Sequence, residues 1–236
     1  MQTPKKKLYI KTYGCQMNVA DSAQMALVLQ ADYELTDRPE EADLYLINTC
    51  AIRRKSEEKV LSLLGRLKTL KRRRPNMLLG VGGCVAQQGG EALLRQAPHL
   101  DLVFGTHGIH RLPEMVRQRQ RERRRLVDTA FSEEMHYICG QAGPAVGHKL
   151  ITIMQGCDNY CTYCVVPYVR GPERSRPVQD IVAEVEDFVN QGGREVILLG
   201  QNVNSYGRNL TPPVSFPALL RRLAGVPGLA RLRFTT

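Results

Sequence analysis

Three cysteines recur at nearly equal intervals, each one or more residues past a short apolar run. Cys15 follows Leu8-Tyr9-Ile10-Lys11-Thr12-Tyr13, Cys50 follows the run 43–48, and Cys84 follows the run 77–81. Thirty-four and then thirty-three residues intervene, room for one strand–helix unit each time. Helical periodicity fills the gaps, with Met25, Leu27, Val28 and Leu29 in 21–31 and Val60, Leu63, Leu64 and Leu67 on one stripe of 56–70. Asp21 and Gln24 have the spacing of a helix cap and its reciprocal partner. A short helix at 91–96, a strand at Leu102-Val103-Phe104 and a basic helix from Arg111 continue the alternation. Short apolar strands alternating with helices predict an α/β fold with an open parallel sheet and right-handed crossovers. Ligands of such sheets bind beyond the carboxyl ends of the strands. Cys15, Cys50 and Cys84 are therefore expected to converge as a three-thiolate metal site, with Gly14, Gly82 and Gly83 allowing close backbone approach. Three unrelated buried cysteines are the plainer alternative.

A second group is tighter. In Gln155-Gly156-Cys157-Asp158-Asn159-Tyr160-Cys161-Thr162-Tyr163-Cys164 three thiols fall within eight residues, too close for independent core cysteines. Such spacing suits zinc or an iron–sulfur cluster. A closed zinc site wants four ligands, and no His or further Cys follows within reach of the loop. A 4Fe–4S cluster held by three cysteines keeps one iron open. The spacing, with an aromatic before the last cysteine, resembles the radical S-adenosylmethionine (SAM) enzymes. That resemblance implies SAM chelated at the open iron and cleaved to a 5′-deoxyadenosyl radical, the protein positioning the cofactors. An adventitious zinc or redox site is the alternative.

With 236 residues and 43% apolar content, the chain has room for one large domain or two ordinary ones. No run approaches the ~18 apolar residues of a membrane span. The stretch from Met1 to Lys11 lacks both an apolar signal core and an Arg/Ser-rich presequence, so a cytoplasmic, non-membrane protein is expected. Seven cysteines in that setting point to metal or redox chemistry, not disulfides. The net charge of +10 lies entirely in residues 1–125, with 23 Lys+Arg against 13 Asp+Glu, while residues 126–236 hold 10 of each. A polyanionic partner for the first half follows. Two runs carry much of the charge: Lys68, Lys71, Arg72, Arg73 and Arg74, then Arg117, Arg119, Arg121, Arg123, Arg124 and Arg125. Phosphate contact and ordinary helix ends are equally compatible with them.

From Leu126 the pattern breaks, with Gly140, Gly143, Pro144 and Gly147, so residues 1–125 are expected as one domain and 126–146 as a linker. Residues 147–236 make a second domain: a strand at Leu150-Ile151-Thr152-Ile153-Met154, a helix over 177–190 with Ile181, Val182, Val185, Phe188 and Val189 inward, a strand at 195–199, a helix at 216–224 and a strand at 229–234. Three parallel strands with two helices leave a sheet face uncovered, and a longer parent protein is expected. Cys139, between the halves, is read as incidental.

Thr12-Tyr13-Gly14-Cys15-Gln16-Met17-Asn18, Asn48-Thr49-Cys50, Gly82-Gly83-Cys84 and the stretch from Gly156-Cys157 to Arg176-Pro177 together resemble the methylthiotransferase family of radical SAM enzymes. The run Tyr160 to Tyr168 and Gly200-Gln201-Asn202-Val203-Asn204 resemble its branch acting on N6-isopentenyladenosine beside the tRNA anticodon. The resemblance implies the start of a partial TIM-like barrel at 147–236, with the rest of the barrel and a TRAM-type RNA-binding module lying outside these residues. It implies two 4Fe–4S clusters, one on Cys157, Cys161 and Cys164 and an auxiliary one on Cys15, Cys50 and Cys84 carrying the sulfur. One SAM methylates that sulfur and another supplies the radical that attacks C2. Tyr163 is expected near the adenine of SAM, and Gly200, Gln201 and Asn202 where the family contacts SAM. No side chain is assigned as acid, base or nucleophile. Asn18 and Thr49 are expected to shape the substrate side, and Arg170, Arg174 and Arg176 either to meet phosphate or to pair with Glu173. Further implications are the tRNA anticodon stem-loop and an electron donor such as flavodoxin or ferredoxin as partners, a monomeric state, and inactivity of these 236 residues alone. Rival readings are methylthiolation of threonylcarbamoyl adenosine in tRNA, of an aspartate of a ribosomal protein, or a non-catalytic two-cluster electron carrier.

Overall fold

The structure, a computed structural model, describes residues 4–51, 54–132, 134–140 and 147–235, with backbone alone for 54–57. Two compact units divide it, Met1–His136 and Tyr137–Thr236.

The first unit runs β1 (Lys6–Tyr13), α1 (Gln16–Leu29), β2 (Tyr33–Leu35), β3 (Leu44–Thr49), α2 (Arg54–Arg73), β4 (Leu78–Gly83), α3 (Cys84–Gln96), β5 (Leu102–Phe104), α4 (Leu112–Glu122) and β6 (Leu126–Asp128). Its six strands are all parallel, in the order β2-β1-β3-β4-β5-β6. Every residue of β3 and β4 is buried, as expected of central parallel strands covered on both faces. Alternate side chains go to opposite cores: Leu44 and Leu46 pack with Met25, Leu29 and Met115 of α1 and α4, while Tyr45 and Ile47 pack with Val60, Leu64 and Leu93 of α2 and α3. The strand order reverses between β1 and β3, the switch point where open sheets of this winding bind ligands.

Three sequence expectations need correction. Helix α1 begins at Gln16, and its cap is Cys15 with Asn18, not Asp21 with Gln24, which are buried inside the helix. A Ser/Thr/Asp/Asn cap was the stronger signal, yet Asn18 does the capping from inside. The helix expected at 91–96 starts at Cys84, its first turns disguised by Gly89 and the kinked Gly90 (φ 44°). Residues 126–128, expected in a linker, form β6 beside β5, a strand too short to stand out after an arginine run. Gly143 and Pro144 of that expected linker lie outside the described residues.

The second unit runs β7 (His148–Thr152), β8 (Met154–Gln155), α5 (Val166–Arg170), β9 (Arg174–Ser175), α6 (Val178–Asn190), β10 (Glu195–Leu199), α7 (Phe216–Ala224) and β11 (Arg231–Thr235). Strands β7, β10 and β11 pair in parallel in chain order, and β8 pairs antiparallel with β9. Each strand joining beside its predecessor, with α6 and α7 sharing one core of Ile181, Val185, Phe188, Leu219 and Leu223, is the repeating pattern of a barrel wall.

At the amino edge of the first sheet, Asp101 gathers much of the basic charge. Its carboxylate, 4% exposed, accepts from Lys71 at 2.6 Å, from Arg119 at 2.7 and 3.0 Å, and from the Leu79 N–H at 2.8 Å. The ends of α2 and α4 are thereby pinned to the start of β4. Because removing one partner of a buried charge network leaves the others uncompensated, Asp101→Asn should lower the stability of this chain by about 3 kcal/mol, read by urea unfolding.

Candidate functional site

In-register pairing sets the first centre. Tyr13 of β1 faces Thr49 of β3, and Thr49 faces Gly83 of β4. Cys50 and Cys84 each stand one residue past those paired positions and Cys15 two past, so three thiols leave three adjacent strands at one edge. The Cys50 N–H donates to Tyr13 O at 2.9 Å. A Cβ placed on Gly14 would lie 2.8 Å from Cys50 Cβ, a measure of how closely the two loops meet. Cys84 opens α3 and Cys15 caps α1, where the helix dipoles favour negative charge such as a thiolate. Cys15 is exposed, Cys50 and Cys84 are buried, and all seven cysteines are free of disulfides.

Beneath these thiols lies a buried amide pair that residue-by-residue reading missed. Asn18 Nδ2 donates to Asn48 Oδ1 at 3.1 Å, and Asn48 Nδ2 donates to Asn18 O at 2.7 Å and to Ser22 Oγ at 2.9 Å. Asn18 Oδ1 also accepts from the Cys15 N–H at 3.3 Å and its thiol at 3.4 Å. Asn18 and Thr49 are both wholly buried, Thr49 donating to Gly82 O at 3.3 Å, so they position strand ends instead of presenting a substrate surface. The signal was there in Asn48: a polar residue amid the apolar run Leu44 to Ile47 needs a buried partner. Gly83 has φ +89°, and a Cβ there would fall 2.4 Å from Asn48 Oδ1 and 2.6 Å from Thr49 O.

Residues 156–164 form the second centre, between β8 and α5. The Cys157 N–H donates to Gly171 O at 3.2 Å, and the Cys164 N–H to Cys161 O at 2.9 Å, a turn that draws the last two cysteines together. Cys157 is buried, Cys164 half-buried and Cys161 exposed. A crossbar ties this loop to the segment after β10. Glu173 donates its N–H to Asp158 Oδ1 at 3.0 Å, accepts from Ser205 Oγ at its carboxylate, and accepts from Asn209 Nδ2 at its carbonyl at 2.7 Å. Tyr206 donates its hydroxyl to Arg176 O at 2.7 Å, and the Gly207 N–H donates to Ser175 Oγ at 2.8 Å. Gly200, at the end of β10, is so close to β8 that a Cβ there would meet Met154 Cγ at 2.6 Å. Gln201 Oε1 is buried and has no hydrogen-bond donor among the described residues, an acceptor suited to a ligand's N–H or O–H. Asn202 is half-buried beside it, and Tyr163 is 91% exposed.

Among the described residues no three Cys, His, Asp or Glu side chains close on a single ion. Thiols around a four-iron cluster stand further apart than those around one zinc, since each binds a different corner iron. The soft donor sets of three thiols and the orphaned Gln201 oxygen fit two clusters and one polar cofactor.

The arginines divide differently from expectation. Arg176 is buried, donates to Thr152 O and to Glu184 Oε2, both at 2.8 Å, and lies 3.7 Å from the Tyr137 ring centroid. Its carboxylate partner is Glu184, which also meets Lys149 at 3.1 Å. Arg170 is buried too, and Arg174 half-buried. Cys139 is exposed, and its thiol lies 3.5 Å from Arg176 Nη2, where partial desolvation of the sulfur pushes its pKa up. The basic runs end α2 and α4, at the sheet edge opposite the cysteines, about 20 Å away along a six-residue strand. Lys71, Arg74, Arg119 and Arg125 there serve internal contacts; Lys68, Arg72, Arg73 and Arg123 remain exposed.

Residues 7–105 match the uncharacterized protein family UPF0004, and residues 151–231 match the radical SAM superfamily. The first unit is thus similar to UPF0004 and the second to the radical SAM superfamily. It is 53% identical over 237 residues to the Geobacter sulfurreducens protein named tRNA-2-methylthio-N(6)-dimethylallyladenosine synthase, and 50% identical over 238 residues to the Aromatoleum aromaticum protein of the same name. These alignments take in 99% and 98% of this chain but 53% and 54% of the relatives, so the chain spans about half their length. In fold it is similar to the radical SAM methyltransferase TsrM from Kitasatospora setae, with TM-score 0.59 and 12% identity over 97% of this chain and 54% of that one.

Gly83→Ala forces a side chain into a left-handed backbone and against Asn48. After anaerobic reconstitution with iron and sulfide, this variant should hold about half the iron of the wild type, the loss confined to the first centre.

Proposed function

We propose that the two units are the cluster-bearing part of a radical SAM methylthiotransferase that places a methylthio group on C2 of N6-isopentenyladenosine beside the anticodon of tRNA. One observation supports the reading: three cysteines follow the ends of three adjacent parallel strands in the first unit, and three more lie in a single loop in the second. The names of the relatives, about half of whose length this chain spans, support the substrate. Cys157, Cys161 and Cys164 hold one 4Fe–4S cluster, and Cys15, Cys50 and Cys84 the other. When bound, the clusters and SAM together supply a carbon-centred radical and the transferred sulfur and methyl group, chemistry that an unactivated aromatic C–H requires.

The chain's own residues bind and orient. Gln201 offers its buried oxygen to SAM, with Gly200 and Asn202 beside it and Tyr163 toward the adenine. Glu173 fixes the spacing between that segment and the Cys157 loop through Ser205, Asn209 and Asp158. The exposed Lys68, Arg72, Arg73 and Arg123 attract the RNA phosphates without sequence preference. No helix among the described residues is long and apolar enough to cross a membrane, and the reading places the enzyme in the cytoplasm, as a monomer fed by a flavodoxin or ferredoxin.

The test uses the full-length enzyme and two triple variants. Replacing Cys157, Cys161 and Cys164 by Ala should abolish SAM cleavage. Replacing Cys15, Cys50 and Cys84 by Ala should retain SAM cleavage but yield no 2-methylthio nucleoside in tRNA by mass spectrometry. Product on threonylcarbamoyl adenosine or on a ribosomal protein would move the substrate. Loss of no activity in the second variant would remove the first centre from the chemistry.

A further inference from the structure

The loop of the second centre exposes aromatic surface that cluster binding does not use. Tyr160, directly before Cys161, is 58% exposed, and Tyr168, in α5, is 68% exposed. Their ring centroids lie 6.3 Å apart at 84°, an edge-to-face pair in which each ring limits the other's motion. Tyr160 also has φ +45°, a left-handed backbone that is uncommon for a bulky residue and gathers at ligand sites. Rings of this size are normally placed against core. Here they are held together, outward, next to a cluster ligand.

We propose that Tyr160 and Tyr168 form a stacking platform for an unstacked nucleobase of the RNA substrate. The inference rests on tRNA being that substrate and deepens it. Proteins that act on one base of a folded RNA take it, or its neighbour, out of the stack and lay it on aromatic side chains. C2 of an adenine faces its pairing edge, so a base to be altered there must leave its neighbours. A platform one residue from Cys161 holds such a loop next to the second centre. The contact is sequence-tolerant, since every base has a π-face, and the phenolic hydroxyls remain free to meet sugar or phosphate.

Full-length reconstituted enzyme and a fluorescent anticodon stem-loop RNA test this, with a loopless duplex as control. Tyr160→Leu/Tyr168→Leu should bind the stem-loop about tenfold or more weaker than wild type with duplex affinity unchanged. Tyr160→Phe/Tyr168→Phe, which keeps both rings, should bind near wild type. Iron content serves as the folding control. On wild type, nitration by tetranitromethane should modify both tyrosines in the free enzyme and be blocked by the stem-loop. Wild-type stem-loop affinity in the Leu variant, or no protection from nitration, overturns the platform. So do tyrosines unreactive in the free full-length enzyme, which the rest of that chain then covers, and a Leu variant impaired only with its electron-donor protein. A wild type that binds no stem-loop sinks the tRNA assignment itself, and the platform with it.

Discussion

Parallel pairing in register between β1, β3 and β4 is the constraint on which the first centre depends. Cys15, Cys50 and Cys84 are distant in sequence, and nothing local brings them together. What does is the alignment of Tyr13, Thr49 and Gly83 across three neighbouring strands. A one-residue slip would turn every side chain of a strand to the other face, exchanging Leu44 and Leu46 with Tyr45 and Ile47 between two filled cores. Hydrophobic packing on both faces therefore fixes the register, and the register fixes the thiols. The Asn18–Asn48 pair adds a polar check: both amides are satisfied only when α1 and β3 meet at this setting, and a buried amide left unpaired is costly.

In the second unit, local sequence does what topology does in the first. Three cysteines within eight residues need only a turn, and the Cys164–Cys161 hydrogen bond supplies it. The remaining task is to hold that turn against the end of β10. Here the segment 173–176 acts as a crossbar, bonded on one side through the Glu173 N–H to Asp158 and on the other through its backbone carbonyls to Tyr206 and Asn209 and through the Glu173 and Ser175 side chains to Ser205 and Gly207. Arg176 anchors the crossbar from below through Thr152 and Glu184. An arginine for which phosphate contact and pairing with Glu173 were equally open is thus part of the frame through Glu184, because a buried guanidinium with several acceptors has few donors left for anything outside.

The legible parts of the sequence were those with a repeating physical cause. Buried parallel strands announce themselves as continuous apolar runs, so the strands at 44–49, 78–83, 102–104 and 195–199 stood out, and with them the strand ends that carry cysteines. Strands β2 and β6 did not, being three residues each and flanked by charge. The start of α1 was misplaced because Asp21 offers the commoner capping chemistry, whereas the actual cap is a cysteine served by Asn18. The crossbar was illegible for a deeper reason. Three of its five bonds use backbone N–H or C=O groups of 173 and 176, which every residue has, and all five join positions 15 to 36 residues apart, so no local spacing of residue types records them.

Charge needed the structure most. The excess of +10 in residues 1–125 suggested a polyanionic partner for that half, and both runs end helices and so fall at the amino edge of the sheet, a strand's length from the cysteines. This follows from the winding itself: in a strand–helix–strand unit the helix returns to where the next strand begins, and cations favour the carboxyl ends of helices. Asp101, at the start of β5, then draws Lys71 and Arg119 inward. What remains exposed can attract a polyanion through a screened field reaching only about 8–10 Å, too short to orient a nucleotide at the thiols. On the proposed reading, positioning at the chemistry then falls to contacts without net charge, for which the second unit offers the buried Gln201 oxygen and the tyrosines of the cysteine loop.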